Sequence, residues 1–160
     1  MKIHFITAGG TIDKIYFDAK SEYEIGPPQV AEVLEIANVT FEFEIEPVLA
    51  KDSLEMTDAD RRLIRERVAA SACERIVVTH GTDSMVETAR VLLDVPGKTI
   101  IFTGAMQPAR FRDSDAVFNI GVAIGAAASL SHGVYLAMNG RIFDPQRTRK
   151  NREKNCFEEI

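Results

Sequence analysis

Two threonine-bearing loops offer hydroxyl groups in a setting suited to binding a small polar molecule. They are Thr7-Ala8-Gly9-Gly10-Thr11 and Thr79-His80-Gly81-Thr82-Asp83, and each directly follows a short apolar run. Glycine allows a backbone to turn sharply or to approach a ligand closely. Because ligands of open α/β sheets bind beyond the carboxyl ends of the strands, both loops are predicted to serve one site.

The second loop places a hydroxyl beside a carboxylate, at Thr82 and Asp83. A threonine hydroxyl is a weak nucleophile until a base or a cation activates it. A lysine from the basic segment at residues 141–154 could complete a Thr-Lys-Asp relay by accepting a proton. Such a charge run is otherwise interpreted as a solvated tail, and a Thr-Asp pair alone as a helix cap. The hydrolytic interpretation therefore depends on the two loops acting together.

Four continuous apolar runs predict strands that are buried on both faces, which is typical of a parallel sheet covered by helices. These runs occupy residues 3–7, 75–79, 99–103 and 134–138. A fifth strand is predicted near an edge of the sheet, because Phe41, Phe43 and Ile45 alternate with glutamates. Pro47 is expected to end that strand.

Helices are predicted between these strands, because apolar residues there recur every three or four positions. Thr57 or Asp58 is expected to begin the second helix, and the fourth is expected to start at about Asp115. The side chains predicted to face inward in the first three helices are Val30, Val33, Leu34, Ala37, Leu63, Ile64, Val68, Ala72, Met85, Ala89, Leu92 and Leu93. The alternation predicts one α/β domain over residues 1–160, with a doubly wound, mostly parallel sheet and helices on both faces in a Rossmann-like or flavodoxin-like three-layer arrangement.

The composition and motifs of the chain argue against several functional classes of protein. The net charge of −5 disfavours a general nucleic-acid-binding protein, which would carry a basic surplus. No segment is apolar for long enough to span a membrane, and the first apolar run is too short for a signal peptide. Cys73 and Cys156 lie far apart without a CxxC pairing, which predicts no metal site and favours a reducing, cytoplasmic environment over one disulfide between them. Nucleotide binding is disfavoured because the first loop lacks G-x-G-x-x-G and no Walker lysine follows it.

Four stretches in order resemble motifs of the bacterial-type L-asparaginases, amidohydrolases that convert asparagine to aspartate and ammonia. Residues 8–13 are similar to the family's T-G-G-T-I and a following small residue, but differ from it at Ala8 and Asp13. Residues 80–85 are similar to H-G-T-D-T and an aliphatic residue, with a serine at position 84. Residues 103–108 resemble its G-A-M-R-P stretch, and residues 52–56 resemble its substrate-binding serine loop. The resemblance covers essentially the whole chain.

This resemblance implies a role for each matching residue. Thr11 would be the nucleophile that takes the acyl group, and Thr82, Asp83 and Lys150 would form a second triad. Tyr16, or alternatively Tyr23, would activate Thr11, whereas His80 would be structural. Ser53 and Asp83 would hold the α-carboxylate and α-amino groups of the substrate. The full set expected to contact substrate is Gly10, Asp52, Ser53, Gly81, Thr82, Asp83 and Ala105.

Typical members of that family are much longer, with a second domain that supplies an acidic group to the neighbouring subunit's site. The chain is therefore expected to be a short form that corresponds to the N-terminal domain and lacks the C-terminal domain. The candidates to replace the acidic group are Glu22, Glu24, Glu158 and Glu159.

The resemblance predicts a cytoplasmic L-asparaginase, acting through a threonine acyl-enzyme as a homodimer or a higher homo-oligomer. No metal or organic cofactor is predicted, since the three histidines do not cluster with cysteines or carboxylates at ligand spacing. Two alternatives stay open: a related amidase acting on glutamine or D-asparagine, and a non-catalytic module that binds asparagine or aspartate.

Overall fold

The computed structural model describes the whole chain, from Met1 to Ile160. Its ten strands are β1 Lys2–Gly9, β2 Lys14–Phe17, β3 Glu22–Ile25, β4 Glu42–Lys51, β5 Arg75–Thr79, β6 Thr99–Thr103, β7 Gly133–Met138, β8 Arg141–Phe143, β9 Thr148–Asn151 and β10 Cys156–Glu159. Its four α-helices are α1 Val30–Ile36, α2 Asp58–Ala70, α3 Met85–Val91 and α4 Ala116–Ser129. Single turns of 3-10 helix occupy Thr11–Asp13, Ser53–Glu55 and Pro145–Arg147. None of the helices combines the length and the apolar character needed to cross a bilayer.

Six strands form one sheet in the order β4-β1-β5-β6-β7-β8. All neighbours are parallel except β8, which runs antiparallel to β7. The first five strands follow the flavodoxin-like order, in which the direction of winding reverses between the first strand and its inner neighbour. The prediction of a doubly wound, mostly parallel sheet is confirmed, and the reversal lies between β1 and β5.

Helices cover both faces of this sheet. On one face, α2 and α3 contribute Ile64 and Met85 to a core cluster with Ile76 of β5. On the other face, α1 and α4 contribute Leu34 and Ile120 to a second cluster with Val77 of the same strand. Adjacent residues of a buried strand point to opposite faces, so the continuous apolar runs supply both clusters. The predicted three-layer arrangement is confirmed.

Three neighbouring strands reach the carboxyl edge of the sheet in register, although β1 continues for two residues beyond the level at which β5 and β6 end. Thr7 of β1 is paired with Thr79 of β5, and Thr79 is paired with Thr103 of β6. The loops that follow these threonines therefore start side by side at the carboxyl edge of the sheet. This register places the segments carrying Thr11 and Thr82 next to the point where the winding reverses.

The edge strand is longer than the sequence predicted. Strand β4 continues through Pro47 to Lys51 and pairs only with β1. A proline is tolerated in an edge strand because its missing N–H need not face the neighbouring strand. The prediction that Pro47 ends the strand was wrong for this reason.

Four side chains predicted to face inward are exposed: Ala37, Leu63, Ala72 and Leu93. Three of them lie beyond the last residues of α1, α2 and α3, where the helical period no longer applies. Leu63 lies within α2, but its neighbour Ile64 occupies the buried side of that helix. The inward-facing stripes are therefore narrower and shorter than the apolar spacing indicated.

Helix α2 begins at the predicted cap. Thr57 Oγ1 accepts a hydrogen bond from Asp60 N (3.2 Å), and the Asp60 carboxylate accepts one from Thr57 N (2.8 Å), which forms a capping box. We expect Thr57→Ala to lower the free energy of unfolding by about 1 kcal/mol, measured by urea denaturation. Thr40→Ala, at an exposed loop threonine, is the matched control and should change it by less than about 0.5 kcal/mol. Equal losses in the two variants would contradict the role of the cap.

Candidate active site

The two threonine loops touch through their glycines. Gly9 and Gly10 have φ values of 86° and 88°, in the left-handed region that favours glycine. Gly10 N donates to Lys51 O (2.9 Å), and a Cβ atom at Gly10 would collide with the backbone of Gly81. Thr11, the next residue, makes no side-chain hydrogen bond within the protein and starts a 3-10 turn. Its hydroxyl is therefore left free beside the second loop.

The serine loop packs against the other side of the second loop. A Cβ atom at Gly81 would lie 2.6 Å from Ser53 Oγ, so only glycine permits this approach. Ser53 is buried, and its carbonyl oxygen accepts a hydrogen bond from Ser84 Oγ (2.6 Å). The Ser53 hydroxyl itself makes no hydrogen bond within the protein. Gly10, Gly81 and Ser53 thus pack against one another in turn, and the hydroxyl groups of Ser53 and the neighbouring Thr11 are without a protein partner.

Asp52 connects the serine loop to the hairpin formed by β2 and β3. Its carboxylate accepts a hydrogen bond from Leu54 N (3.1 Å) and pairs with Lys14 Nζ of β2 (3.2 Å). The Leu54 N–H bond and then Lys14 lower the pKa of Asp52, with a smaller contribution from the charge of Lys150. Asp52 is therefore ionised at neutral pH and orients the loop rather than offering a free acid.

The structure brings Lys150 to the second threonine loop. Lys150 Nζ donates to Thr82 Oγ1 (2.7 Å) and to Asp83 Oδ1 (2.9 Å). The Lys150 side chain is 11% exposed, and Arg152 Nε also lies 3.4 Å from Asp83 Oδ1. The alternative that this segment is only a solvated tail is thereby excluded for Lys150. The three residues named for the second triad form one hydrogen-bonded cluster.

Lys150 is positioned by a hairpin, β9–β10, that the sequence analysis missed. Phe157 lies opposite Lys150 in this hairpin and is buried in the core, near Phe143. Phe157 N donates to Asn139 Oδ1 (2.9 Å), which fixes the hairpin to the turn between β7 and β8. A single apolar residue in a basic, polar segment was the available sequence signal for this anchor.

His80 has a structural role in the second loop. It is fully buried, with Nδ1 donating to Gly81 O (2.7 Å) and Nε2 within 2.9 Å of Thr88 Oγ1. Burial lowers the pKa of His80 to about 4, so the ring is neutral at physiological pH. Both ring nitrogens are engaged inside the protein, which leaves neither free to act on a ligand.

The loop that contains Ala105 is held from α4. Ala105 is buried, and the preceding Gly104 carbonyl accepts a hydrogen bond from Asn119 Nδ2 (3.0 Å). The following Met106 N donates to the Asp115 carboxylate (3.0 Å). Sequence reasoning placed Asp115 at the start of α4 but did not identify it as the anchor of this loop.

The candidate activating tyrosines face each other on the β2–β3 hairpin, a second element that the sequence analysis missed. Tyr16 pairs across the hairpin with Tyr23, with ring centroids 5.4 Å apart, and each is about half exposed. Neither hydroxyl makes a hydrogen bond within the protein. The structure therefore does not bring Tyr16 into hydrogen-bonding contact with Thr11, although the hairpin begins directly after the turn that Thr11 starts.

The glutamates considered for an additional acidic group lie outside the cluster. Three of them form ion pairs: Glu24 with Lys20, Glu158 with Arg149 and Glu159 with Arg141. Glu22 is exposed in β3 and has no ion-pair partner. None of the four bonds to Thr11, Thr82 or Asp83. No group of three or more histidine, cysteine or carboxylate side chains is arranged to hold a metal ion.

Comparison with known proteins identifies one family. A family model described as the N-terminal domain of asparaginase matches residues 2–159. L-asparaginase 2 of Escherichia coli (strain K12) is 32% identical over 158 residues, which cover 89% of this chain and 44% of that protein. Glutaminase-asparaginase of Acinetobacter glutaminasificans is 30% identical over 145 residues, covering 85% of this chain and 43% of that protein.

A solved structure gives the same result. The thermostable L-asparaginase from Thermococcus kodakarensis is 26% identical and matches with a TM-score of 0.88, covering 100% of this chain and 51% of that chain. The chain therefore spans less than half the length of the two curated relatives and about half of the solved one.

Proposed function

This chain belongs to the asparaginase family, whose N-terminal domain it matches, and we propose that it hydrolyses the side-chain amide of L-asparagine to L-aspartate and ammonia. The observation that carries the proposal is the contact of Lys150 Nζ with both Thr82 Oγ1 and Asp83 Oδ1. This cluster adjoins the Thr11 loop, because Gly10 and Gly81 touch. A module that only binds a ligand needs neither a free hydroxyl nor a proton relay beside it.

In the proposed reaction, Thr11 Oγ1 attacks the amide carbon of the substrate side chain and loses its proton. The carbon–nitrogen bond then breaks, and the nitrogen takes up a proton and leaves as ammonia. Water attacks the resulting ester between Thr11 and the aspartyl group. This second step releases aspartate and restores the threonine hydroxyl, so that one difficult reaction is divided into two easier ones.

The Thr82–Lys150–Asp83 cluster is proposed to move protons during these steps. When water attacks the ester, the water gives a proton to Thr82 Oγ1 as the Thr82 proton passes to the Lys150 amine, and Asp83 stabilises the ammonium that forms. The proton then returns through Thr82 to the Thr11 oxygen as the ester breaks. The low exposure of Lys150 strengthens the stabilisation of its ammonium by Asp83, because charge–charge interactions are stronger away from water. Tyr16 or Tyr23 is proposed to assist Thr11 after the β2–β3 hairpin moves towards it, since neither bonds to Thr11 in the structure.

Substrate recognition is proposed to use the groups that lack protein partners. The free Ser53 hydroxyl and the backbone beside Gly10 and Gly81 suit the α-carboxylate, which requires hydrogen-bond donors. Asp83 is paired only through Oδ1, so its Oδ2 atom is available to accept a hydrogen bond from the α-ammonium. Asp52 and Ala105 would complete the walls of the site.

The test is ammonia release by the purified chain from L-asparagine, L-glutamine and D-asparagine, each compared at equal concentration. We expect turnover of L-asparagine to be the fastest. Glutamine is the second candidate substrate, because one relative is a glutaminase-asparaginase. Binding of asparagine by isothermal calorimetry without any ammonia release would overturn the enzymatic proposal in favour of a binding module.

We also propose that the protein self-associates and works in a reducing, cytoplasmic compartment. Ile36 and Val117 are exposed and line one cavity of about 640 Å³ between α1 and α4, an apolar surface of the kind that interfaces cover. Cys73 and Cys156 are both free thiols, which supports a reducing compartment. Sedimentation velocity over a range of protein concentrations measures self-association directly. A monomer at every concentration would contradict the proposed self-association.

A further inference from the structure

Asp13 joins three segments of the chain at the base of the β2–β3 hairpin. Its N–H donates to Gly10 O (3.1 Å), and its carbonyl oxygen accepts a hydrogen bond from Gly26 N (2.8 Å). Its side-chain Oδ1 accepts one from Gln29 N (2.8 Å), just before α1. The residue therefore links the Thr11 loop, the end of the hairpin and the start of α1.

The Asp13 carboxyl is buried without a charged partner. Its residue is 2% exposed, and Gln29 N is its only side-chain hydrogen-bond donor. The charged residues on the neighbouring segments point to other partners: Lys14 to Asp52, and Arg110 to Gln29 Oε1, while Glu32 in the first turn of α1 is exposed. Burial raises the pKa of Asp13 to about 7, and the Gln29 N–H only partly opposes this.

We propose that Asp13 is a positioning residue whose charge state sets how freely the Thr11 segment and the β2–β3 hairpin move. The neutral carboxyl needs no hydration, so the base of the hairpin stays closed and dry around it. The ionised carboxylate favours hydration, so it opens the base of the hairpin to water and loosens the segment that carries Tyr16. The inference rests on the proposed function only in naming Thr11 as the reactive hydroxyl.

The burial of the Asp13 carboxyl also makes the stability of the protein depend on pH in a predictable direction. The native state keeps the Asp13 proton up to about pH 7, whereas the ordinary pKa is 3.8. Between these values the native state binds more protons than the unfolded state, so this contribution to stability is lost as pH rises through that window. Asp13→Asn removes the titration. We expect the difference in Tm between the variant and the unsubstituted protein to grow in the variant's favour from pH 5 to pH 8.

Hairpin mobility can be measured by tyrosine fluorescence, because the chain has three tyrosines and no tryptophan. Tyr135→Phe leaves Tyr16 and Tyr23, both on the hairpin, as the only fluorophores. We expect quenching by acrylamide to increase between pH 6 and 8, with a midpoint near the pKa of Asp13, about 7. In the same background, Asp13→Asn should abolish the transition.

Two control variants distinguish the effect of Asp13 ionisation on quenching from general effects of substitutions in or near the hairpin. Asp18→Asn makes the same change in the turn of the same hairpin and should leave the transition unchanged. Gln29→Ala removes the side-chain bonds to Arg110 and Pro27 but keeps the backbone N–H that Asp13 uses, so the transition should also persist. A transition that survives in Asp13→Asn would overturn the proposal, as would its loss in Asp18→Asn.

Kinetics test whether the hairpin matters for turnover. We expect kcat for ammonia release to fall above pH 7 by several-fold more in the unsubstituted protein than in Asp13→Asn, with little difference between them in KM. Identical pH profiles would overturn the positioning role even if the fluorescence transition is present. If the protein releases no ammonia at all, the function proposed above fails, while fluorescence still reports on the link between Asp13 and the hairpin.

Discussion

Alanine at position 11 is expected to abolish nearly all ammonia release, with a loss in kcat of roughly three to six orders of magnitude. The reason is that Thr11→Ala removes the atom proposed to form the ester with the substrate, and no neighbouring group replaces it. The loss is measured by coupled detection of ammonia under saturating L-asparagine. Turnover above about one-tenth of the unsubstituted rate would rule out Thr11 as the nucleophile.

Stability measurements show whether such a loss is chemical. The Thr11 hydroxyl makes no hydrogen bond within the protein, so Thr11→Ala should change the free energy of unfolding by less than about 0.5 kcal/mol. Thr11→Ser, which keeps a hydroxyl at the same position, is the matched control and should retain measurable turnover. A serine variant as inactive as the alanine variant, with unchanged stability, would count against hydroxyl chemistry at this position.

Substitution of Lys150 is expected to have the second largest effect. Lys150→Met keeps much of the apolar stem but removes the amine that contacts Thr82 and Asp83, and should lower kcat by about 10²–10⁴-fold. Lys150→Arg tests whether positive charge alone is sufficient at this position. A guanidinium keeps the positive charge but does not lose a proton in the physiological range, so we expect Arg to restore little of the rate.

Thr82→Val combined with Lys150→Met tests whether the cluster works as a unit. If both residues belong to one relay, the double variant should be about as slow as the slower single variant, since groups that act together are strongly non-additive. The measurement is kcat for each of the four proteins in the cycle. Restoration of full activity by Lys150→Arg, or independent multiplicative losses in the cycle, would contradict a proton relay and favour a purely electrostatic role.

The parallel sheet could be predicted because its strands are encoded locally. Each of the four long apolar runs is bounded by polar or turn-forming residues, and helical spacing fills the gaps between them. The cap of α2 was equally local, since Thr57 and Asp60 are three residues apart. The threonine loops followed from the same reasoning, because strand ends of a parallel sheet meet at one edge.

The features that could not be predicted from the sequence depend on contacts between residues that are distant along the chain. Lys150 meets Thr82 because the β9–β10 hairpin is anchored far from it in the sequence, through Phe157 in the core and the Phe157 N–Asn139 bond. The strands of both missed hairpins are only four residues long, so even the alternation of Glu22-Tyr23-Glu24-Ile25 in β3 is too brief to stand out from the surrounding sequence. The burial of Asp13 was likewise not predictable, since a carboxylate beside a lysine in the sequence is usually solvated.

The β4 edge of the sheet has a consequence for how copies of this chain can aggregate. Open edges invite further strands, and natural proteins protect them with charges, prolines and short strands. Strand β4 carries Glu42, Glu44 and Glu46 followed by Pro47, and the opposite edge strand β8 is only three residues long. Neither edge is a good template for another backbone. Intermolecular sheet extension, the route to amyloid-like deposits, is disfavoured, and association between native copies is left to the helical faces and loops.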